Sequence, residues 1–345
     1  MKAAVFLAPK SIEIQDRNIP SINNDEILVK VVASGICGTD VKIYNGGKKV
    51  ETPKIIGHEF SGVVFETGKN VKGLSCGDRV AVEPIIPCGS CYSCRGGRLN
   101  LCLSRPTIGY EYDGAFAEYV RIPATAIKAG NVVKLPEEVS FEEGALAEPV
   151  AACINGNKKL RQEKGSMLWI IGDGPIGLIH IQLSKLIGIE KIILSGTDDE
   201  KLLTGRNLGA DYTINVLKED VKEKISDITK GEGVSQVIIG ANSVKTVTEA
   251  ISLIKKGGVL IIFAGFSPDS KTTIDLNTVH YREISILGSS GHSVKELREA
   301  IFLMRDKKLN VNPLITHRFS IDEVVEGIKL KEEQKGIKHI IIMDK

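Results

Sequence analysis

Cys88-Gly-Ser-Cys91-Tyr-Ser-Cys94, followed eight residues later by Cys102, constrains this chain more than any other segment. Four thiolates so close in sequence can enclose one tetrahedral Zn²⁺, so the spacing predicts a structural metal lobe at about residues 86–104. Without a metal, four oxidisable thiols would stand unexplained beside flexible Gly89, Gly96 and Gly97. Disulfides are a poorer reading, because cysteines separated by two residues are sterically poor partners. The total of seven cysteines is odd and reads as a cytosolic, metal-binding chain.

A chain of 345 residues exceeds the usual size of one hydrophobic core, so two domains are expected. Lys plus Arg number 45 against 43 Asp plus Glu, which gives no electrostatic reason to expect nucleic acid or an anionic membrane. A small-molecule partner is the expectation. The N-terminal Met1-Lys-Ala-Ala-Val-Phe-Leu-Ala-Pro stops being apolar too soon for a signal peptide, and no apolar run reaches the roughly twenty residues of a bilayer span. The chain reads as a soluble cytoplasmic protein, without fixed-period repeats or low-complexity segments.

Short β-rich runs (27–33, 61–66, 79–82, 117–122) broken by Gly, Pro and Asn clusters predict an irregular β domain over residues 1–150. Around Phe141 to Asn157 the texture turns Ala-rich and helix-compatible, with Glu148-Pro149 inside it, and the junction is placed there. Beyond it strands alternate with helices: strands over 167–171, 191–194, 236–239, 259–264 and 284–287, helices over 175–187, 200–208 and 244–255. That alternation predicts a doubly wound parallel sheet over 151–288. The stretch 289–345 offers a helix over 294–307 and a strand over 339–343, whose place the pattern alone leaves open.

The strand Met167-Leu-Trp-Ile-Ile171 runs into Gly172-Asp-Gly174-Pro175-Ile176-Gly177 and then an apolar-periodic helix. Such a turn lets backbone approach a pyrophosphate, and the helix start offers unpaired N–H groups, so a dinucleotide site is expected. The position that would grip the adenosine ribose falls in Leu194-Ser195-Gly196-Thr197-Asp-Asp. Gly196 withholds the carboxylate that would repel a 2′-phosphate, and Ser195, Thr197 and Lys201 could bind one, which favours NADP. Asp198 and Asp199 favour NAD, unless they merely begin the next helix. NAD and NADP both stay open. Gly265, Phe266, Ser289 and Ser290 follow the last two strands, where open α/β sheets bind ligands, and are expected near the nicotinamide.

Cys37, His58, Glu59 and Glu148 are remote from one another in sequence, yet their residue types suit a catalytic zinc that keeps one position open. Taken singly, a cysteine is as readily inert core packing and a Gly-flanked histidine a hydrogen-bonded loop residue. Six segments in this order, however, resemble a zinc-dependent medium-chain dehydrogenase along essentially the whole chain: Gly35-Ile-Cys-Gly-Thr-Asp40, Gly57-His-Glu-Phe-Ser-Gly62, Gly77-Asp-Arg-Val80, the four-cysteine lobe, Asp113-Gly-Ala-Phe-Ala-Glu118 and the glycine loop. Glu148-Pro149 and His58-Glu59 resemble the polyol (sorbitol-type) branch, in which the two carboxylates approach the metal directly or through its water. The resemblance implies a GroES-like catalytic domain rejoined by the C-terminal segment 289–345, with a Rossmann domain inserted between them. It implies two zinc ions per chain and a homodimer or homotetramer.

By that resemblance, Cys37, His58 and Glu59, with Glu148 nearby, hold a zinc that acidifies an alcohol, and Thr39 begins a proton relay to solvent. Hydride passes to NAD(P). Tyr44 resembles a pocket-lining residue, and Arg282 and Glu283 a segment that contacts substrate, although a loop tyrosine and a surface ion pair are ordinary alternatives. Cys76 and Cys153 are expected in the core, and the remaining histidines are expected to be structural. The expected reaction is reversible oxidation of a secondary alcohol, a polyol or sugar alcohol, to its ketone. Two rivals stand beside it: a threonine-type amino-alcohol dehydrogenase on the same scaffold, and a non-catalytic zinc-stabilised binding module, which would have no use for the Cys37 and His58-Glu59 set.

Overall fold

The computed structural model describes residues 1–343, so Asp344 and Lys345, the last two residues of the expected C-terminal segment, lie outside the described residues. The chain divides into two compact units. One comprises Met1–Ala151 together with residues from Gly291 onward, and the other Ala152–Ser290.

The first unit begins with β1 (Lys2–Ala8), β2 (Ser11–Asp16), β3 (Ile27–Gly35), β4 (Lys54–Ile55), β5 (Glu59–Thr67), β6 (Arg79–Val82), β7 (Tyr119–Ile122) and β8 (Val132–Lys134). The second holds β9 (Met167–Ile171), β10 (Lys191–Gly196), β11 (Tyr212–Asn215), β12 (Val234–Ile239), β13 (Ile254–Ile262) and β14 (Ser285–Gly288). Two further strands, β15 (Ile315–Phe319) and β16 (Lys338–Ile342), belong to the first unit again.

In the first unit a seven-stranded sheet runs β15-β16-β3-β5-β6-β8, with β7 also paired to β3, beside a three-stranded sheet β2-β1-β4. Val29, Val31, Phe60, Val64, Phe116 and Ile341 are buried together in its core. β16 lies antiparallel to β3, with Ile340 opposite Gly35, and this settles the place of the tail that pattern alone left open. The Ala-rich stretch forms two helices, Phe141–Ala145 and Ala147–Asn157. Pro149 fits the second because it falls in the first turn, where no intrahelical donor is lost.

The second unit is a parallel six-stranded sheet in the order β11-β10-β9-β12-β13-β14. Numbered from β9 this is 3-2-1-4-5-6, the doubly wound order, with its switch point between β9 and β12. A parallel sheet covered on both faces needs apolar side chains on both, and all six residues of β12 are buried. Its polar members are satisfied: Gln236 accepts from the Arg161 amide (2.7 Å) and donates to the Arg161 carbonyl (2.9 Å). The helix expected to run to Lys255 ends at Leu253, because Ile254 pairs with Val234 and opens β13. Cys153 is buried as expected, whereas Cys76 is exposed, in a turn closed by the Asp78 amide on the Ser75 carbonyl (3.1 Å). Among the described residues no helix is long and apolar enough to cross a membrane.

Candidate active site

Two remote segments meet in the first unit. Cys37 follows β3 and caps the helix Gly38–Tyr44, while Glu59 opens β5, the antiparallel neighbour of β3, and His58 immediately precedes it. Gly35 stands opposite Glu59 in that pairing, and a Cβ on Gly35 would fall 2.2 Å from the Glu59 carboxylate. Sheet register therefore delivers a thiol, an imidazole and a carboxylate whose donor atoms all lie within 4.8 Å of one another. Glu148 is outside that set among the described residues; its carboxylate stands 3.7 Å from His292 Nε2. Burial raises the Glu148 pKa, opposed by the charges of His292 and His58.

Several polar groups that sequence reasoning missed surround these donors. Lys338, from β16, forms an ion pair with Glu59 and also donates to the Ile36 carbonyl (3.1 Å). Burial opposes charge on both partners, but each offsets it for the other: Glu59 is held below the ordinary carboxylate range and Lys338 above the ordinary amine value. Asp40 accepts from the Cys37 amide (2.8 Å) and places its other oxygen 3.6 Å from His58 Nδ1. The Tyr110 hydroxyl is 3.3 Å from both ring nitrogens of His58, and Lys48 sits over the Tyr110 ring, 3.1 Å from its centroid. Burial disfavours a protonated His58, yet its neighbours Tyr110, Cys37 and Asp40 outweigh that penalty and raise its pKa well above normal. The Asp40 carboxylate beside the ring would likewise favour a bound cation in place of that proton. His292, expected to be merely structural, is buried 2.9 Å from Glu83 as well as facing Glu148.

In the lobe, Cys91 caps a short helix, Tyr92–Arg95, and the sulfurs of Cys88, Cys91, Cys94 and Cys102 converge. Sulfur separations are 3.6 Å for Cys91–Cys94, 3.9 Å for Cys91–Cys102 and 4.0 Å for Cys88–Cys94. Four sulfurs bound about 2.3 Å from one zinc stand about 3.8 Å apart, whereas a disulfide needs about 2.0 Å. The backbone amides of Ser90 and Cys91 pull the Cys88 thiol down to about 6, while burial pushes Cys94 up to about 12.

In the second unit the glycine loop joins the end of β9 to the helix Pro175–Leu186. A Cβ on Gly177 would fall 1.9 Å from the Gly172 carbonyl oxygen, so only glycine lets helix and loop approach this closely. Gly174 caps the helix without a side-chain hydrogen bond, and Pro175 takes its first position, which leaves the first-turn amides uncapped by side chains. Gly265, Phe266, Ser289 and Ser290 follow the carboxyl ends of β13 and β14.

Other residues expected to contact cofactor or substrate have partners within the protein. Ser195 is buried, its hydroxyl accepting from the Trp169 indole N–H (2.9 Å), so it is not available to a 2′-phosphate. Lys201 is largely buried, 3.9 Å from the Asp198 carboxylate. Tyr44 ends its helix buried in the core, with Lys10 over its ring. Arg282 donates to the carbonyls of Ile251 and Ile254, and with Glu283 it precedes β14, at the amino end of the parallel sheet. Ligands of such sheets bind at the carboxyl ends, the opposite end from Arg282 and Glu283.

Residues 23–137 match the alcohol dehydrogenase GroES-like domain family, and residues 175–306 the zinc-binding dehydrogenase family. An L-threonine 3-dehydrogenase of Bacillus velezensis is 34% identical over 94% of this chain and 93% of its own length. This chain belongs to the zinc-dependent medium-chain dehydrogenases. A sorbitol dehydrogenase of Bacillus subtilis, 31% identical over 95% of this chain and 93% of its own, supports the polyol branch of that family. A solved structure from Sinorhizobium meliloti, described as a zinc-binding dehydrogenase and bound to NADP, covers 99% of this dehydrogenase and 98% of itself, with 32% identity and a TM-score of 0.91. The dehydrogenase is thus a zinc-dependent, NAD(P)-dependent enzyme acting on alcohols, and its own donor sets fit the metal. Sequence signals could have found Asp40, three residues beyond Cys37, but not Lys338 or His292, which stand alone in their segments.

Proposed function

We propose that this dehydrogenase oxidises a secondary hydroxyl of a polyol or sugar alcohol reversibly to the ketone, with one catalytic and one structural zinc per chain. The observation that carries the reading is the convergence of Cys37, His58 and Glu59 donor atoms within 4.8 Å. Cys37, His58 and one oxygen of Glu59 hold the catalytic ion, while Lys338 restrains the other oxygen. Glu148 adjoins them and takes part directly or through water. A bound zinc supplies Lewis acidity, lowering the pKa of a coordinated hydroxyl as it lowers that of water from 15.7 to about 7 to 9. Thr39, whose hydroxyl is 3.7 Å from the Cys37 sulfur, passes the released proton toward solvent. The glycine loop holds the dinucleotide that accepts the hydride. Cys88, Cys91, Cys94 and Cys102 hold the structural ion.

An amino alcohol is the second reading, favoured by the identity to a threonine dehydrogenase. Glu148-Pro149 favours the polyol. Zinc-replete enzyme should be offered polyols, sugar alcohols and L-threonine with each dinucleotide while reduced-nicotinamide absorbance is followed. Turnover confined to threonine selects the second reading, and no turnover on any alcohol refutes both. We also propose a cytoplasmic homo-oligomer, a compartment in keeping with seven cysteines among which no disulfide is formed.

A further inference from the structure

At the carboxyl end of β10, where a Rossmann sheet meets the adenosine ribose, this chain has Gly196. The space above Gly196 is nonetheless filled by a carboxylate. A Cβ there would fall 2.2 Å from Asp173 Oδ2 and 2.3 Å from its Cγ. Asp173 is the second residue of the glycine loop, and its Oδ2 accepts from the backbone amides of Thr197 (2.7 Å) and Asp198 (2.9 Å). Both amides are thereby engaged and not open to a phosphate group beside the strand end.

The other carboxylates nearby are already engaged. Asp198 caps the helix Asp199–Asn207, its Oδ1 accepting from the Glu200 and Lys201 amides (2.9 and 3.1 Å). Asp199 is bound by Asn215 (2.6 Å) and paired with Lys218. Asp198 and Asp173 each take both backbone bonds on one oxygen, but the other oxygen of Asp198 stands 3.9 Å from Lys201 Nζ.

We propose that Asp173, reaching across from within the glycine loop, supplies the carboxylate that Gly196 withholds from β10, and so selects NAD over NADP. Oδ2 fixes the turn and Oδ1 accepts from the ribose hydroxyls. A 2′-phosphate would meet this anion, find the Thr197 and Asp198 amides occupied, and find Lys201 next to Asp198. The inference rests on the reading of the glycine loop as the dinucleotide site. The family does not fix the outcome, because a structural relative binds NADP.

Isothermal titration calorimetry of the full chain with NAD⁺ and with NADP⁺, without any alcohol, tests it independently of turnover. The wild-type chain should bind NAD⁺ about a hundredfold more tightly, a ratio set by the like-charge contact. Asp173→Asn should narrow that ratio at least about tenfold, mainly by strengthening NADP⁺. The double variant Asp173→Ala with Gly196→Asp, which returns the carboxylate to the strand, should restore the NAD⁺ preference. Equal or tighter NADP⁺ binding by the wild-type chain overturns the proposal, and needs no variant. An unchanged ratio in a folded Asp173→Asn protein overturns it too. If neither dinucleotide binds, the reading of the loop itself fails and takes this proposal with it.

Discussion

Lys338 and Glu59 form a buried ion pair between β16 and β5, nearly three hundred residues apart in sequence, against the bare backbone of Gly35. Their relative exposures are 3% and 1%, so neither charge has water to fall back on. Removing one partner of such a pair leaves the other uncompensated, which costs about 3–5 kcal/mol. Lys338→Met should therefore lower the unfolding free energy by about that amount in urea titrations, while Lys338→Arg should lose less. A neutral effect of Lys338→Met would show that Glu59 is satisfied without it.

Metal analysis of the purified chain should return two zinc ions. Cys37→Ser and Cys91→Ser should each lower the count toward one, but with different consequences. Loss of the lobe ion should reduce thermal stability, since a closed structural site contributes its binding free energy to folding. Loss of the other should abolish turnover with a smaller change in melting temperature. Equal effects of both substitutions on stability and turnover would contradict the division of roles.

Thr39→Val removes a hydroxyl 3.7 Å from the Cys37 sulfur and changes little else in volume. If that hydroxyl passes a proton, kcat should fall by about 10²-fold or more, with zinc content and KM nearly unchanged. Retained kcat would remove Thr39 from the relay.

His180 is buried in the second unit against Phe263, with Nδ1 bound to Asn157, and burial pushes its pKa down to about 3. An unfolded histidine titrates near 6.5, so between these values the unfolded chain binds the extra proton. Stability must then fall as pH drops from about 6.5 toward 3, by about 1.4 kcal/mol per pH unit from this residue. Trp169, the one tryptophan, is buried in the same unit and reports its unfolding. His180→Gln should flatten the pH dependence of the denaturation midpoint followed by Trp169 fluorescence.

What was legible in the sequence was local. The glycine loop announced itself because strand, turn and helix are contiguous, and the lobe because its four cysteines span a single loop region. Cys37 and His58-Glu59 needed the wider resemblance, since only the β3–β5 register brings them together. Lys338, Tyr110 and His292 carry no spacing signal, because each is joined to the site by packing between segments remote in sequence, whereas Asp40 stands only three residues beyond Cys37. Ser195 misled for the same reason: nothing in the run Leu194 to Thr197 reveals that its hydroxyl faces Trp169. Asp173 was visible all along inside the glycine motif, but its reach over Gly196 is a fact of three dimensions.

The placement of β16 beside β3 also sets an order of events during synthesis. Ribosomes emit Lys338 long after Gly35, Cys37 and Glu59, whereas every strand of the inserted parallel sheet has already left the exit tunnel by then. A nascent polypeptide can complete its nucleotide-holding half first. Its metal-coordinating half must wait, lacking both an edge partner and a counter-ion, until the final strand arrives.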